Sequence, residues 1–85
     1  QKTFKIKPDI TTLGKALGNG FTIAAVGGKK EIMNKLAPGG NVYQASTLAG
    51  NPVSVTAAIN SIKTINKMKN SLYEKLERNC DLLVD

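Results

Sequence analysis

The sequence predicts an α/β fold in which strands come first and helices follow. A continuous apolar run of strand length, "FTIAAVGG" at 21–28, ends at two glycines. The last third carries apolar residues at spacings of three and four, which is typical of amphipathic helices. Two strands are too few to cover that much helix, and an isolated pair is marginally stable in water. The sequence therefore predicts an α/β unit that is incomplete on its own, and its opening "QKTFKIKPDI" suggests an internal fragment.

Short strands and a turn are predicted before residue 29. Pro8 and Asp9 precede "ITTLGK", whose β-branched residues favour a strand, and "GNG" at 18–20 predicts a turn. The run at 21–28 suits a strand covered on both faces. An Asn-Gly step favours a hairpin over 15–26, although a parallel or mixed sheet is equally compatible.

A helix and a long loop are predicted next. "KKEIMNKLAP" places Ile32, Met33 and Leu36 on one helical face, and the helix should stop at Pro38. The loop that follows, "GNVYQASTLAG" at 40–50, has neither helical nor strand periodicity. Long ordered loops tend to carry function.

Two helices are predicted at the end of the chain. Asn51 is a good N-cap and Pro52 suits the first helical position, which predicts a helix over 52–68. Ser71 and Glu74 have the spacing of a capping box, which predicts a second helix over 71–85. The predicted apolar stripes consist of Val55, Ile59, Ile62, Ile65 and Met68 in the first helix and Leu72, Leu76, Leu83 and Val84 in the second.

The composition argues against several classes of partner. The 85 residues carry a formal charge of +6, but the lysines are scattered and the four aromatic residues do not interleave with a basic patch. A small basic nucleic-acid-binding module is therefore only a minor alternative, and no nucleic acid is expected as partner. No apolar stretch approaches membrane-spanning length and no signal-peptide pattern is present, so we expect no membrane association and a cytoplasmic location.

Metal and disulfide chemistry are not expected. The chain has no histidine and one cysteine, which excludes an internal disulfide and leaves almost no zinc ligands. Cys80 falls on the apolar side of the predicted last helix. It is therefore predicted to be a small buried hydrophobic residue.

The first candidate for chemistry is Lys15 in "TTLGKALGNG". A lysine becomes a nucleophile when desolvation or nearby positive charge favours its neutral form, and Gly14 leaves one approach to it open. An ordinary exposed loop lysine is the alternative. The stretch is not a nucleotide P-loop, because Ala16 occupies the position of the required hydroxyl.

The second candidate is the loop "ASTLAGNP" at 45–52. Ser46 and Thr47 offer hydroxyl groups and consecutive backbone N–H groups, and the helix that begins at Pro52 adds a positive dipole end, a combination that binds phosphate. Alternatively, the two hydroxyls only stabilise the loop. Together with Lys15, the loop suggests a carbonyl cofactor that bears a phosphate.

Three motifs, "PDITTLGKALGNG", "GGKKEIMNKLAP" and "VYQASTLAGNP", resemble in order and spacing the class III branch of the fold-type I pyridoxal-phosphate enzymes. The resemblance is strong over 1–70 and generic beyond. It implies that Lys15 binds pyridoxal 5'-phosphate covalently and moves protons at the substrate carbons. It also implies that Ser46 and Thr47 bind the cofactor phosphate.

The same resemblance implies a homodimer in which the Thr47 loop completes the cofactor site of the neighbouring subunit. The residues within the three motifs resemble those of the aminomutase branch, which implies a small amino-aldehyde substrate, more than those of the ornithine, acetylornithine and 4-aminobutyrate aminotransferases. The chain departs from the family pattern at Asn19, Thr22, 24–26 and Ser46. The changes at 22–26 bear on the substrate more than on the cofactor.

The resemblance also predicts how the chain is divided. Residues 1–70 would be the C-terminal part of the cofactor-binding large domain of a fold-type I transferase, and 71–85 a helix that leads into the small C-terminal domain. In this family the aspartate that pairs with the pyridine nitrogen, the residue that stacks on the ring and the glycine-rich phosphate turn lie upstream. The 85 residues alone are therefore expected to be inactive. A non-catalytic helical interaction segment is a further alternative.

Overall fold

The computed structural model describes residues 1–84, which form strands and helices in the predicted order. In the first half, β1 is followed by a single 3-10 turn, by β2 and by a short helix α1. Two longer helices, α2 and α3, form the second half. Their bounds are Ile10–Leu13 (β1), Lys15–Leu17 (the Lys15 turn), Ala25–Gly28 (β2), Lys30–Met33 (α1), Pro52–Met68 (α2) and Asn70–Val84 (α3).

The two strands form an antiparallel ribbon. Ile10 lies opposite Gly28 and Leu13 lies opposite Ala25, so 14–24 form an eleven-residue connection. The turn at 18–20 is confirmed, but the hairpin over 15–26 is wrong, because β1 ends at Leu13 and β2 begins only at Ala25, so neither strand adjoins that turn. The second strand is also shorter than predicted, and both of its faces are exposed rather than covered. Residues 21–24, the first half of the predicted strand, instead continue from the turn, since the Phe21 N–H donates to the Gly18 carbonyl at 3.2 Å.

Helix α1 begins as predicted but spans only four residues. The chain reverses direction after it, with the Ala37 N–H donating to the Val42 carbonyl at 2.9 Å and the Val42 N–H donating to the Lys35 carbonyl at 2.9 Å. Pro38 has no N–H with which to continue a helix, and the residue before a proline disfavours helical geometry. The loop that follows is otherwise irregular up to Asn51, as predicted.

Helix α2 has the predicted bounds because its start is specified locally. The Asn51 side-chain oxygen accepts hydrogen bonds from the N–H groups of Val53 at 3.1 Å and Ser54 at 3.2 Å. Pro52 occupies the first turn, where its missing N–H costs nothing. The helix ends at Met68, and Lys69, which follows it, has a left-handed φ of 48°.

Helix α3 begins at Asn70, one residue earlier than predicted, directly after the end of α2. Ser71 therefore lies inside the helix rather than at its cap. Its hydroxyl donates to the Met68 carbonyl at 2.6 Å, so the predicted capping box is not formed. The prediction of two separate helices is confirmed.

Only small residues are buried among residues 1–84: Gly18, Ser54 and Ala58. Helix α2 packs against the Lys15 turn, and Ser54 and Ala58 are its buried residues. The predicted apolar stripes are largely exposed, with Ile62 of α2 46% exposed and Leu83 of α3 87% exposed.

Cys80 is exposed as well, so its predicted burial is wrong. Within residues 1–84, the main contact of helix α3 with another helix or strand is the one with α2. The apolar side on which the sequence places Cys80 therefore has little to pack against. Periodicity indicates which side of a helix is apolar but not whether a partner covers it.

Candidate cofactor site

Lys15 opens the 3-10 turn between the two strands with a left-handed backbone, φ 48°. Its carbonyl accepts two hydrogen bonds, from the N–H of Gly18 at 3.1 Å and from that of Asn19 at 3.2 Å. The side chain is exposed. Within residues 1–84 the single ion pair joins Lys29 to Asp9, so no carboxylate of the described chain neutralises the Lys15 ammonium.

The loop before α2 presents polar groups that are not used internally. The Ser46 carbonyl accepts from the Ala49 N–H at 3.0 Å and the Leu48 carbonyl accepts from the Asn51 N–H at 3.1 Å, which folds 47–50 into a turn. In the described part of the chain, the N–H groups of Ser46, Thr47 and Leu48 donate no hydrogen bond. Adjacent N–H groups of this kind are well suited to bind the oxygens of an anion.

The start of α2 contributes less to anion binding than the sequence suggests. Pro52 has no N–H, and the N–H groups of Val53 and Ser54 already donate to Asn51. These donors are therefore satisfied by the cap. The helix dipole still favours negative charge near this end, but any hydrogen bonds to an anion must come from the loop.

The two candidate stretches meet at one open cleft of about 660 Å³. Lys15 and Ser46 both line it, and the volume is in the range typical of small-molecule sites. Thr47 is not among the lining residues. The remaining lining residues are Phe21, Thr22, Ile23, Ala24, Val26, Gln44, Leu48, Ala49 and Gly50.

This arrangement fits a carbonyl compound that bears a phosphate. An exposed amine without a carboxylate partner and a hydroxyl with free N–H groups beside it share one cleft, whereas the rest of the lining is mainly apolar. Such a lining with a few convergent polar groups is the usual composition of a cofactor site.

Sequence reasoning missed the cleft wall at 21–24. These residues were predicted to continue a strand, and in the structure they form an irregular segment that lines the cleft between the Lys15 turn and β2. The available signal was their position between a turn and two glycines. That position does not distinguish a strand from a cleft wall.

The described residues contain neither a cluster of metal ligands nor a membrane-spanning helix. No group of three or more histidine, cysteine, aspartate or glutamate residues in 1–84 is arranged to hold a metal ion. Of the helices in the same range, none is long and apolar enough to cross a membrane.

Comparison with known proteins identifies the family. The model of the family "Aminotransferase class-III" matches residues 1–85. The chain belongs to the class III aminotransferases. The resemblance carried by the three motifs is thereby confirmed, and the mixed strands and helices agree with the α/β class predicted from the sequence.

Three similar proteins share the name glutamate-1-semialdehyde 2,1-aminomutase. A glutamate-1-semialdehyde 2,1-aminomutase of Nitrosopumilus maritimus is 76% identical over 78 residues, which are 92% of this chain and 18% of that protein. A glutamate-1-semialdehyde 2,1-aminomutase of Cenarchaeum symbiosum is 68% identical over the same shares of the two chains. One of Thermodesulfovibrio yellowstonii is 48% identical over 98% of this chain and 19% of that protein. The chain thus spans about a fifth of the length of these relatives.

Proposed function

We propose that this chain is the lysine-bearing segment of a pyridoxal-phosphate-dependent glutamate-1-semialdehyde 2,1-aminomutase. Such an enzyme moves an amino group between neighbouring carbons of glutamate-1-semialdehyde and gives 5-aminolevulinate for tetrapyrrole biosynthesis. The observation that carries the proposal is the 76% identity to a relative of that name, over a stretch in which Lys15 and Ser46 share a cleft. Residues 1–70 would belong to the large domain, and 71–85 would lead into the small one.

Lys15 is proposed to be the residue that holds the cofactor. Its amine would hold pyridoxal phosphate in the cleft through the carbonyl group of the cofactor, with loss of one water molecule. When bound, the cofactor supplies the electron sink that stabilises negative charge at a substrate carbon. The Lys15 amine also accepts and returns protons at the two carbons between which the amino group moves.

The loop at 46–48 is proposed to bind phosphate. Ser46 lines the cleft, and its N–H, which donates no hydrogen bond in residues 1–84, would donate to a phosphate oxygen there. The Thr47 N–H is equally free and would serve the phosphate of the neighbouring subunit's cofactor. Phe21 and Ile23 add apolar side chains to the lining of the same cleft.

The position of Thr47 supports a homodimer. Thr47 does not line the cleft of its own chain, although its neighbour Ser46 does. A residue that serves the site of a partner subunit would be placed in this way. The full-length protein is proposed to form a dimer in which each Thr47 loop contributes to the other subunit's phosphate site.

Covalent labelling of the full-length protein tests the role of Lys15. We expect added pyridoxal phosphate to produce a visible absorbance band, and borohydride reduction followed by peptide mass mapping to place the label on Lys15. Lys15→Ala should lower activity at least about a hundredfold, since it removes the group that transfers protons. Lys29→Ala, which removes a lysine already paired with Asp9, should keep the label and the activity.

The product distinguishes an aminomutase from an aminotransferase of the same family. With glutamate-1-semialdehyde as the only substrate, an intramolecular transfer forms 5-aminolevulinate without a 2-oxo acid acceptor. A strict requirement for such an acceptor would contradict the proposed reaction. Labelling spread evenly over the lysines would contradict the assignment of Lys15.

A further inference from the structure

Gly18 joins the Lys15 turn to the wall of the cleft. Its N–H donates to the Lys15 carbonyl at 3.1 Å, and its own carbonyl accepts from the Phe21 N–H at 3.2 Å. Gly18 is also one of the few buried residues of the described chain. A single residue without a side chain thus connects the lysine to the segment at 21–24, which lines the same cleft.

The space beside Gly18 is already filled. A Cβ atom at this position would lie 2.2 Å from the Phe21 carbonyl oxygen and 2.6 Å from Cγ2 of Ile23. Contacts this short force a neighbouring atom to move, and the first is with backbone rather than with a flexible side chain. The φ of Gly18 is −89°, which any residue adopts, so the requirement for glycine here is one of space.

The conformation of Lys15 depends on this fit. Its φ of 48° is one that residues other than glycine adopt mainly when the surrounding structure holds them there. Hydrogen bonds from the N–H groups of Gly18 and Asn19 to the Lys15 carbonyl stabilise this conformation. If Phe21 were pushed away from Gly18, the turn would open and the amine would shift relative to Ser46 across the cleft.

We propose that Gly18 is a positioning residue for Lys15, because its close contact with Phe21 and Ile23 fixes the distance between the lysine turn and the cleft wall. The inference rests on the proposed function, since it takes Lys15 to be the residue that binds the cofactor. Gly18 itself touches neither cofactor nor substrate in this proposal. It acts through the backbone of the turn.

The test compares Gly18→Ala with Gly27→Ala in the full-length protein. The two variants make the same chemical change, but a Cβ at Gly27 would meet no atom within 4 Å, and Gly27 lies in β2 outside the cleft lining. Pyridoxal phosphate is titrated into the stripped protein, and the visible absorbance is followed against concentration and pH. For Gly18→Ala we expect cofactor affinity to fall by about tenfold or more, because small displacements at a reacting group have large effects.

A shift in the pH midpoint of the absorbance should accompany this loss, whereas Gly27→Ala should match the unaltered protein in both measurements. A structural role alone would lower the melting temperature without moving that midpoint. If Gly18→Ala folds and keeps both the affinity and the midpoint, the inference is wrong.

If Gly18→Ala does not fold, the same change is made in an Ile23→Ala background, where the side-chain atom that the new Cβ would meet is gone, and the double variant is compared with Ile23→Ala alone so that the loss of Ile23 from the cleft is common to both. A weaker affinity and a shifted midpoint would support the positioning role, and unchanged values would overturn it. Failure of the unaltered protein to take up label at Lys15 would instead overturn the proposed function, so the two failures are distinguishable.

Discussion

Lys15 and Lys29 show how the surroundings of a lysine determine its role. The Lys29 ammonium lies 2.5 Å from a carboxylate oxygen of Asp9. The backbone N–H of Lys29 also donates to the backbone carbonyl of Asp9 at 3.0 Å. Lys29 thus fastens the end of β2 to the residue before β1. Lys15, in the connection between the same strands, has no such partner among residues 1–84 and faces the cleft instead.

The ion pair of Lys29 should stabilise the protein only slightly. Both side chains are at least half exposed, 50% for Lys29 and 66% for Asp9, so water screens their attraction. We expect Asp9→Asn to lower the free energy of unfolding of the full-length protein by about 0.2–1 kcal/mol in urea, and by less in 1 M salt. Glu31→Gln is the matched control, since Glu31 is exposed and makes no ion pair in the described chain. A loss above about 2 kcal/mol that salt does not reduce would show that the pair is buried in the intact protein.

The sequence allowed the pairing of Lys15 with Ser46 to be predicted, but not the position of every candidate residue. Both residues follow from local chemistry, an amine among glycines and a hydroxyl in a long loop. Whether Thr47 or Ser46 lines the cleft depends on how the loop turns, and the Ser46–Ala49 hydrogen bond that sets this turn leaves no signature in the residue types. The exposure of Cys80 was not predictable, because it depends on what α3 packs against.

At the scale of elements, the bounds of α2 could be predicted, but the end of α1 could not. The first depend on residues close in the sequence, and the second depends on contacts with residues further along the chain. The start of α2 is specified by Asn51 and Pro52, which act within one turn of the helix. The end of α1 depends on hydrogen bonds between Lys35, Ala37 and Val42, which form only after the chain has reversed. The length of β2 likewise depends on its pairing with β1, whose partner residues lie between 12 positions earlier (Leu13 for Ala25) and 18 positions earlier (Ile10 for Gly28).

The cap of α2 gives a test at this scale. Asn51→Ala should lower the free energy of unfolding by about 1 kcal/mol, because it leaves the N–H groups of Val53 and Ser54 without their acceptor. Urea unfolding of the full-length protein measures this change. Asn60→Ala makes the same substitution at an exposed position inside the helix and should change stability by only a few tenths of a kcal/mol. Equal effects of the two variants would contradict a capping role for Asn51.

At the scale of the whole molecule, a hybrid dimer tests whether Thr47 serves the neighbouring subunit. Lys15→Ala and Thr47→Glu should each impair the homodimer, the second because its carboxylate would repel the phosphate. In a mixed dimer, one site would then carry both changes and the other neither. Activity should rise towards half that of the unaltered enzyme in dimers purified with two different affinity tags.

The control for this experiment is a mixture of two differently tagged Lys15→Ala subunits, which should remain inactive. If Thr47 acts within its own subunit, each site of the mixed dimer retains one defect. No recovery of activity beyond that of the parent homodimers would then be observed, and the proposed exchange of loops would be wrong.

The small buried residues of α2 also restrict how that helix can turn about its axis. Ser54 and Ala58 are four residues apart and therefore lie on one face, and α2 packs against the Lys15 turn. A rotation by one residue, about 100°, would bring Val55 and Ile59 towards that face. Their additional methyl groups would push the turn outwards. The packing of α2 against the Lys15 turn therefore fixes the rotation of the helix about its own axis, because only the face with Ser54 and Ala58 is small enough to lie there.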